Sequence, residues 1–253
     1  MARVPTGEST LARTVRVVEA FGVGDRSLTV SEIARRADLH VATASRLIAD
    51  LVRHGWLERE GGRVRVGVRL WEVASRASPE MQLREAALPF MEDLHAVVGQ
   101  HIQLAVLKGE EVLVVERLSA PGATVIYSRV AARLPIHASS AGLVLLAHAP
   151  TAVVDAILSA PLKIFTDNTI RTPRQLRTVL DQVRKHDYAL CAGHLFADTT
   201  GVAVPIRDND RRVVAAVAAI VPNDESAYAR IPLLQAAGRG ISRMVCAATR
   251  SPL

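Results

Sequence analysis

The sequence predicts an α+β chain of two units: a small helical unit closed by a two-stranded hairpin, then a larger antiparallel sheet with helices packed on it. Three observations carry this. Over residues 28–57 a helical apolar period stops, turns within three residues and restarts. Past Gly99 the period changes from helical to alternating, and runs of strand type then interleave with helical stretches. With 253 residues and 49% apolar content, the chain has the length and the side chains for two buried cores.

Residues 1–8 are polar with one proline and read as a loose tail. Ser9 or Thr10 can then cap a helix running to about Phe21, with Leu11, Val15, Val18 and Phe21 as its inward stripe. In LTVSEIARRADLHVATASRLIADLVRHGWL, residues 28–57, Val30, Ile33, Ala34 and Ala37 share one helical face. Val41, Ala44, Ile48 and Leu51 share another, widened by Leu47, and Asp38-Leu39-His40 makes the tight turn between them, Leu39 tucking inward. This is a helix-turn-helix. Its second helix leaves Ala42, Thr43, Ser45, Arg46, Asp50 and Arg53 facing outward, behind His40. Short side chains followed by a forked arginine suit close approach to a major groove, where Arg46 can pair with guanine or a phosphate. A plain helical hairpin would leave the same residues merely solvated. The next stretch of chain argues against that: after Gly55, two short extended runs, 56–60 and 63–67, flank Gly61-Gly62, with Leu57, Val64 and Val66 as apolar partners. A basic hairpin behind a helix-turn-helix is a wing, and Arg63 and Arg65 are placed for phosphates or the minor groove.

Val68 to Arg76 reads as a short helix, and a longer helical pattern continues to Val98, so the expected organisation is a DNA-binding unit over 9–78, a linker helix over 79–98 and a second domain over 99–253. Residues 101–107 and 112–118 flank a Lys108-Gly109-Glu110-Glu111 turn and make a hairpin with one buried face. Residues 201–207 and 211–221 flank Asp208-Asn209-Asp210, and Val213 to Val221 is apolar on both faces, as in a central strand. Helical patterns cover 139–148, 151–159, 172–186 and Tyr228 to Ala248, the last with Leu234, Ala237, Ile241 and Val245 inward.

The net charge of +6 is concentrated: residues 1–78 carry 13 Arg against 9 Asp or Glu, a +4 excess in under a third of the chain. The excess suggests a polyanionic partner. MARVPTGEST lacks the apolar stretch of a signal peptide, and no run reaches membrane-spanning length, so a cytoplasmic protein without a membrane partner is expected. Cys191 and Cys246 are far apart and give no disulfide framework. An enzyme is not expected: the eight histidines are scattered, with no HExxH, G-x-S-x-G, phosphate loop or dinucleotide fingerprint. Cys191 with His194 is a lone C-x-x-H, which does not make a metal site, and no cofactor is expected.

These residues together resemble the IclR family of bacterial transcription regulators, from about Leu11 to the end of the chain. The winged unit (TLARTVRVVEAF, LTVSEIARRADLHVATASRLIADLVRHGWLER, RVRVGVRL) is similar to the family's DNA-binding domain. LPIHASSAGLVLLAHAP, FTDNTIRTPRQL and GVAVPIRDNDRRVVAAVAAIVP are similar to its ligand-binding domain, which implies a GAF-like fold. The resemblance also implies a homodimer paired through the winged domains, often a homotetramer, on a partly palindromic double-stranded operator. It makes Arg13 a candidate backbone contact, a solvated arginine being the alternative. A small-molecule effector then enters a pocket walled by Ala123, Ile126 and Leu134, closed by Ser139, Ser140 and Ala141, and lined by Cys191, Gly201, Ala218 and Ile220.

Members that take small oxo-acids have an acidic residue at the Cys191 position, a cysteine at Gly201, and serines at Ala218 and Ile220. This chain departs at all four, and Leu143 replaces the family's usual lysine. An apolar lining leaves a small hydrated acid unpaired, at about 1–3 kcal/mol per buried group. The expected effector is therefore larger and largely apolar or aromatic, pointing to control of an aromatic catabolic operon, with a small oxo-acid as the alternative. Gly201 and Ala218 are expected to make room for a ring, and Ser139 and Ser140 to satisfy one polar or anionic group.

Overall fold

The computed structural model describes residues 8–123 and 128–248, and the chain divides into two compact units between Met81 and Gln82. In the first, α1 (Thr10–Glu19) begins where Ser9 Oγ accepts from the Ala12 N–H. α2 (Val30–Arg36) starts in a reciprocal cap: Thr29 Oγ1 accepts from the Glu32 N–H at 3.2 Å, and the Glu32 carboxylate accepts from the Thr29 N–H at 2.7 Å. Asp38 turns the chain at φ 51°, Leu39 packs against the core, and α3 (Val41–Arg53) buries Ala44, Leu47, Ile48 and Leu51. The wing is β1 (Leu28–Thr29), β2 (Leu57–Glu60) and β3 (Arg63–Val66) in the order β1-β3-β2. Gly61 and Gly62 both take positive φ, 54° and 81°, the two-residue turn whose twist matches the strands and which glycine adopts without strain. α4 (Val68–Ala77) comes next and buries none of its residues.

Four residues of this unit expected to face inward are exposed. Leu11 and Val15 are exposed, 73% and 45%, while α1 buries Val17 and sets Val18, Ala20 and Phe21 at the core. Val41 and Val66 are exposed as well. The helical period says which residues share a face; it does not say how much of the helix meets the core, and α1 meets it only through its second half.

The second unit is built on a six-stranded antiparallel sheet in the order β6-β5-β4-β9-β8-β7. Its strands are β4 (His101–Lys108), β5 (Glu111–Leu118), β6 (Arg133–Pro135), β7 (Ala189–Ala192), β8 (Thr199–Arg207) and β9 (Val213–Pro222). One face packs with α6 (Ser140–Ala147), α7 (Thr151–Ser159) and α8 (Pro173–His186) around Leu143, Leu146, Leu176 and Leu180. The other packs with α5 (Pro79–Val98) and α9 (Ile231–Ala248) around Met91, Leu104, Val217, Leu234 and Ile241. From Ala87 onward α5 is thus part of the second core.

The predicted hairpins are both present, but His101 to Val106 is buried on both faces, against the expected single face. β4 lies inside the sheet, between β5 and β9, with helices above and below. The C-terminal helix begins at Ile231 after a 3-10 turn over Glu225–Arg230, since Pro232, without an N–H, fits only a first turn. Val245, expected inward with Leu234, Ala237 and Ile241, is only partly buried. β1, β6 and β7 were not expected from the sequence pattern. They are edge strands of two to four residues, too short to show a period.

Candidate functional site

The first unit presents α3 to solvent. Ala42 and Arg46 are exposed, Thr43 and Ser45 half-buried, and His40 is the exposed N-cap residue, making no side-chain cap bond. Arg46 has no hydrogen-bond or ion-pair partner among the described residues, whereas Arg53 is held by Asp50. On α1, Arg13 donates to Thr10 Oγ1 at 3.2 Å, and its Nε is buried without a partner among the described residues.

The wing arginines are less free than their spacing implied. Register sets Glu58 opposite Arg65 and Glu60 opposite Arg63, all four on the outward face. Arg65 donates to Glu58 at 2.8 Å and to Glu60 at 2.9 Å, which holds the Glu58 carboxyl below its usual range and raises the Arg65 guanidinium further. Arg63 donates from Nε to Ser27 Oγ and from Nη2 to the Ser27 carbonyl, both at 2.8 Å. The outward face therefore carries two acids and two bases, without net charge. Arg59, on the opposite face of β2, is exposed and has no partner among the described residues; it was not among the residues expected to contact DNA. Its place two residues from Leu57, on the face away from Glu58 and Glu60, could have singled it out.

In the second unit a cavity of about 250 Å³ lies between the sheet and α6. Of the expected residues, Leu134, Ser139, Ser140, Ala141, Cys191, Gly201, Ala218 and Ile220 line it. Ala123 does not, and Ile126 lies outside the described residues. Register assembles the floor: Ile220 pairs with Gly201, Gly201 with Cys191, and Ala218 with Gln103. Ser139 is the N-cap of α6. Its hydroxyl accepts from the Gly142 N–H at 3.2 Å and donates to the Pro135 carbonyl at 2.8 Å, so it is already engaged. Ser140 is buried, and its hydroxyl has no partner among the described residues. With the Ser140 and Ala141 N–H groups of the first turn, it makes the polar end of the site. Burial pushes the Cys191 thiol up to about 12, so it stands neutral at the cavity wall.

Two expectations are corrected here. Gly201 does not make room for a ring, because α6 fills that space: a Cβ built on Gly201 would lie 2.7 Å from Ser140 Oγ. Nor is the lining short of polar groups, since Gln103, Ser128 and Thr199, all buried, also face the cavity. They lie on stretches away from Cys191, Gly201, Ala218 and Ile220, the four positions from which an apolar lining was expected. His101, His137 and His194 do not line it; His137 Nε2 bonds the Lys163 carbonyl at 2.9 Å, and burial, then His137, lowers the His194 pKa. No described helix is long and apolar enough to cross a membrane, and no group of three or more His, Cys, Asp or Glu among the described residues could hold a metal ion.

A helix-turn-helix with a wing, joined on the same chain to a helix-covered sheet enclosing a cavity, defines a ligand-responsive DNA-binding regulator. Residues 10–61 match the IclR helix-turn-helix domain and residues 76–246 the bacterial transcriptional regulator IclR C-terminal domain, so the chain belongs to the IclR family of bacterial transcription regulators. It is 31% identical over 209 residues to the glycerol operon regulatory protein of Streptomyces coelicolor, covering 82% of each chain. It is 29% identical to the HTH-type transcriptional regulator XynR of Escherichia coli, covering 81% of this chain and 82% of that one. A crystal structure of an IclR homolog from Microbacterium hydrocarbonoxydans complexed with 4-hydroxybenzoate matches with a TM-score of 0.90 and 44% identity, over 94% of this chain and 99% of that one.

Proposed function

We propose that this regulator binds a partly palindromic operator through α3 as a homodimer or homotetramer, and that an aromatic acid in the second unit's cavity changes that binding and so controls a catabolic operon. The cavity carries the effector reading. An apolar cavity of about 150 Å³ holds benzene, so one of about 250 Å³ suits a single ring with one or two substituents. Leu134, Ala141, Ala218 and Ile220 supply apolar wall, and the N–H groups of α6 with the Ser140 hydroxyl suit a carboxylate. The 4-hydroxybenzoate in the 44% identical homolog supports the same class. Pairing of winged units draws support from the apolar side chains that α1 and α4 leave exposed, Leu11, Val15, Val68 and Trp71.

A small oxo-acid is the second reading, favoured by the buried polar lining of Gln103, Ser128 and Thr199. Thermal-shift titration of the full chain against both panels separates them, since a ligand at 100 times its Kd stabilises by about 2.7 kcal/mol. A shift confined to glyoxylate- or pyruvate-like acids would overturn the aromatic reading and leave the family untouched. Operator binding with and without the hit reads the direction of the response.

A further inference from the structure

A second polar station faces the cavity from β4. Gln103, 2% exposed, and Ser128, 8% exposed, both line it, and Gln103 Nε2 donates to Ser128 Oγ at 2.6 Å. That bond leaves Gln103 Oε1 and the Ser128 hydroxyl proton without partners among the described residues. The pair is fixed from behind. The Ser128 carbonyl accepts from Arg117, whose Nε donates to Ser119 Oγ at 2.7 Å, and His101 Nδ1 bonds the same Ser119 hydroxyl at 2.9 Å. An acceptor and a donor thus stand side by side at the cavity wall, free among the described residues, and a ligand that covers them without pairing them strips their hydration at a cost.

Their place relative to the first station comes from register. Gln103 pairs with Ala218, and Gly201 pairs with Ile220 two residues further along β9. Two strand spacings and two residues of rise put the Gln103 and Gly201 Cα atoms about 12 Å apart. Ser140 stands over Gly201. With Gln103 and Ser140 reaching inward from the two ends, the remaining span is on the order of one six-membered ring with a substituent at each end.

We infer that Gln103 and Ser128 set effector specificity, selecting ring acids that carry, opposite the acid group, a substituent able both to donate and to accept a hydrogen bond: a hydroxyl or a primary amide. This rests on the aromatic-acid reading of the cavity. A hydroxyl satisfies both free atoms, whereas a methyl of similar size leaves both unpaired, a penalty expected to weaken binding by about tenfold to a hundredfold.

Isothermal titration calorimetry of the full chain with benzoate, 4-methylbenzoate, 4-hydroxybenzoate and 4-carbamoylbenzoate tests it. The hydroxyl and amide compounds bind more tightly than the methyl compound by that factor. Gln103→Met, which keeps the length of the side chain, and Ser128→Ala each lower the ratio, chiefly by tightening 4-methylbenzoate, which then covers one polar atom fewer, and the double variant brings it close to one. If Gln103→Met does not fold, Ser128→Ala decides. Equal binding of hydroxyl and methyl compounds by the parent chain, or a preference that survives both substitutions, overturns the specificity role and leaves the aromatic-acid reading in place. Failure of every ring acid to bind overturns both together.

Discussion

The Ser140 side chain occupies the space that any side chain at residue 201 would need: a Cβ on Gly201 would lie 2.7 Å from Ser140 Oγ and 3.3 Å from Ser140 Cβ. The glycine lets the first turn of α6, where the cavity's free N–H groups sit, close onto β8. Gly201→Ala is expected to destabilise the second unit by roughly 1–2 kcal/mol through overpacking, read as a lowered urea midpoint. Gly201→Ala with Ser140→Gly should recover most of the loss, because the two sites share one space. An unshifted midpoint for Gly201→Ala would mean that α6 yields freely.

On α3, Arg46 is exposed and unengaged among the described residues, so Arg46→Ala should weaken operator binding by about 1–3 kcal/mol and relax specificity. The wing predicts the opposite sign. Glu60→Gln removes one of the two carboxylates that hold Arg65 and is expected to tighten binding to all sequences and steepen the salt dependence. Fluorescence anisotropy across a salt series checks both. No effect from either substitution would place the DNA contacts elsewhere.

Cys191 is buried with its thiol pushed up to about 12, while Cys246 is partly accessible. At pH 8, iodoacetamide should therefore label Cys246 first, because only the thiolate reacts. An aromatic ligand should slow whatever labelling Cys191 shows, as read by mass spectrometry of the peptides. Rapid modification of Cys191 would contradict the raised pKa of its thiol.

Burial lowers the His194 and His148 pKa values below the ordinary 6.5, with nearby His137 and Arg207 adding to the effect. As pH falls below about 6.5 the unfolded chain takes up these protons first. Their contribution to stability is thus full above that value and is lost as pH falls through the folded pKa values. Melting temperatures should decline between pH 7 and 5.5, and His194→Gln and His148→Gln should each flatten part of that decline. The lowered carboxyls, Asp25 beside Arg36 and Glu32 in the α2 cap, act in a separate window, losing their contribution only as pH falls through the carboxylate range. A flat profile between pH 7 and 5.5 would refute the histidine assignment.

The helix-turn-helix, the glycine turn of the wing and the β4–β5 and β8–β9 hairpins were legible in the sequence alone. Each is specified by residues within a few positions of one another: Thr29 with Glu32, Ala44 with Leu47 and Ile48, Gly61 with Gly62. Family resemblance then located Ser140, Cys191, Gly201, Ala218 and Ile220 at one cavity. Three things waited on the tertiary structure. Gln103 and Ser128 meet in the cavity across 25 positions of chain, Arg65 is neutralised across the wing by Glu58 and Glu60, and Gly201 is small because Ser140 stands over it. Helical and strand periods are local, but which side chains share a space depends on strand register and on where a helix settles, and both are set by contacts between residues far apart along the chain.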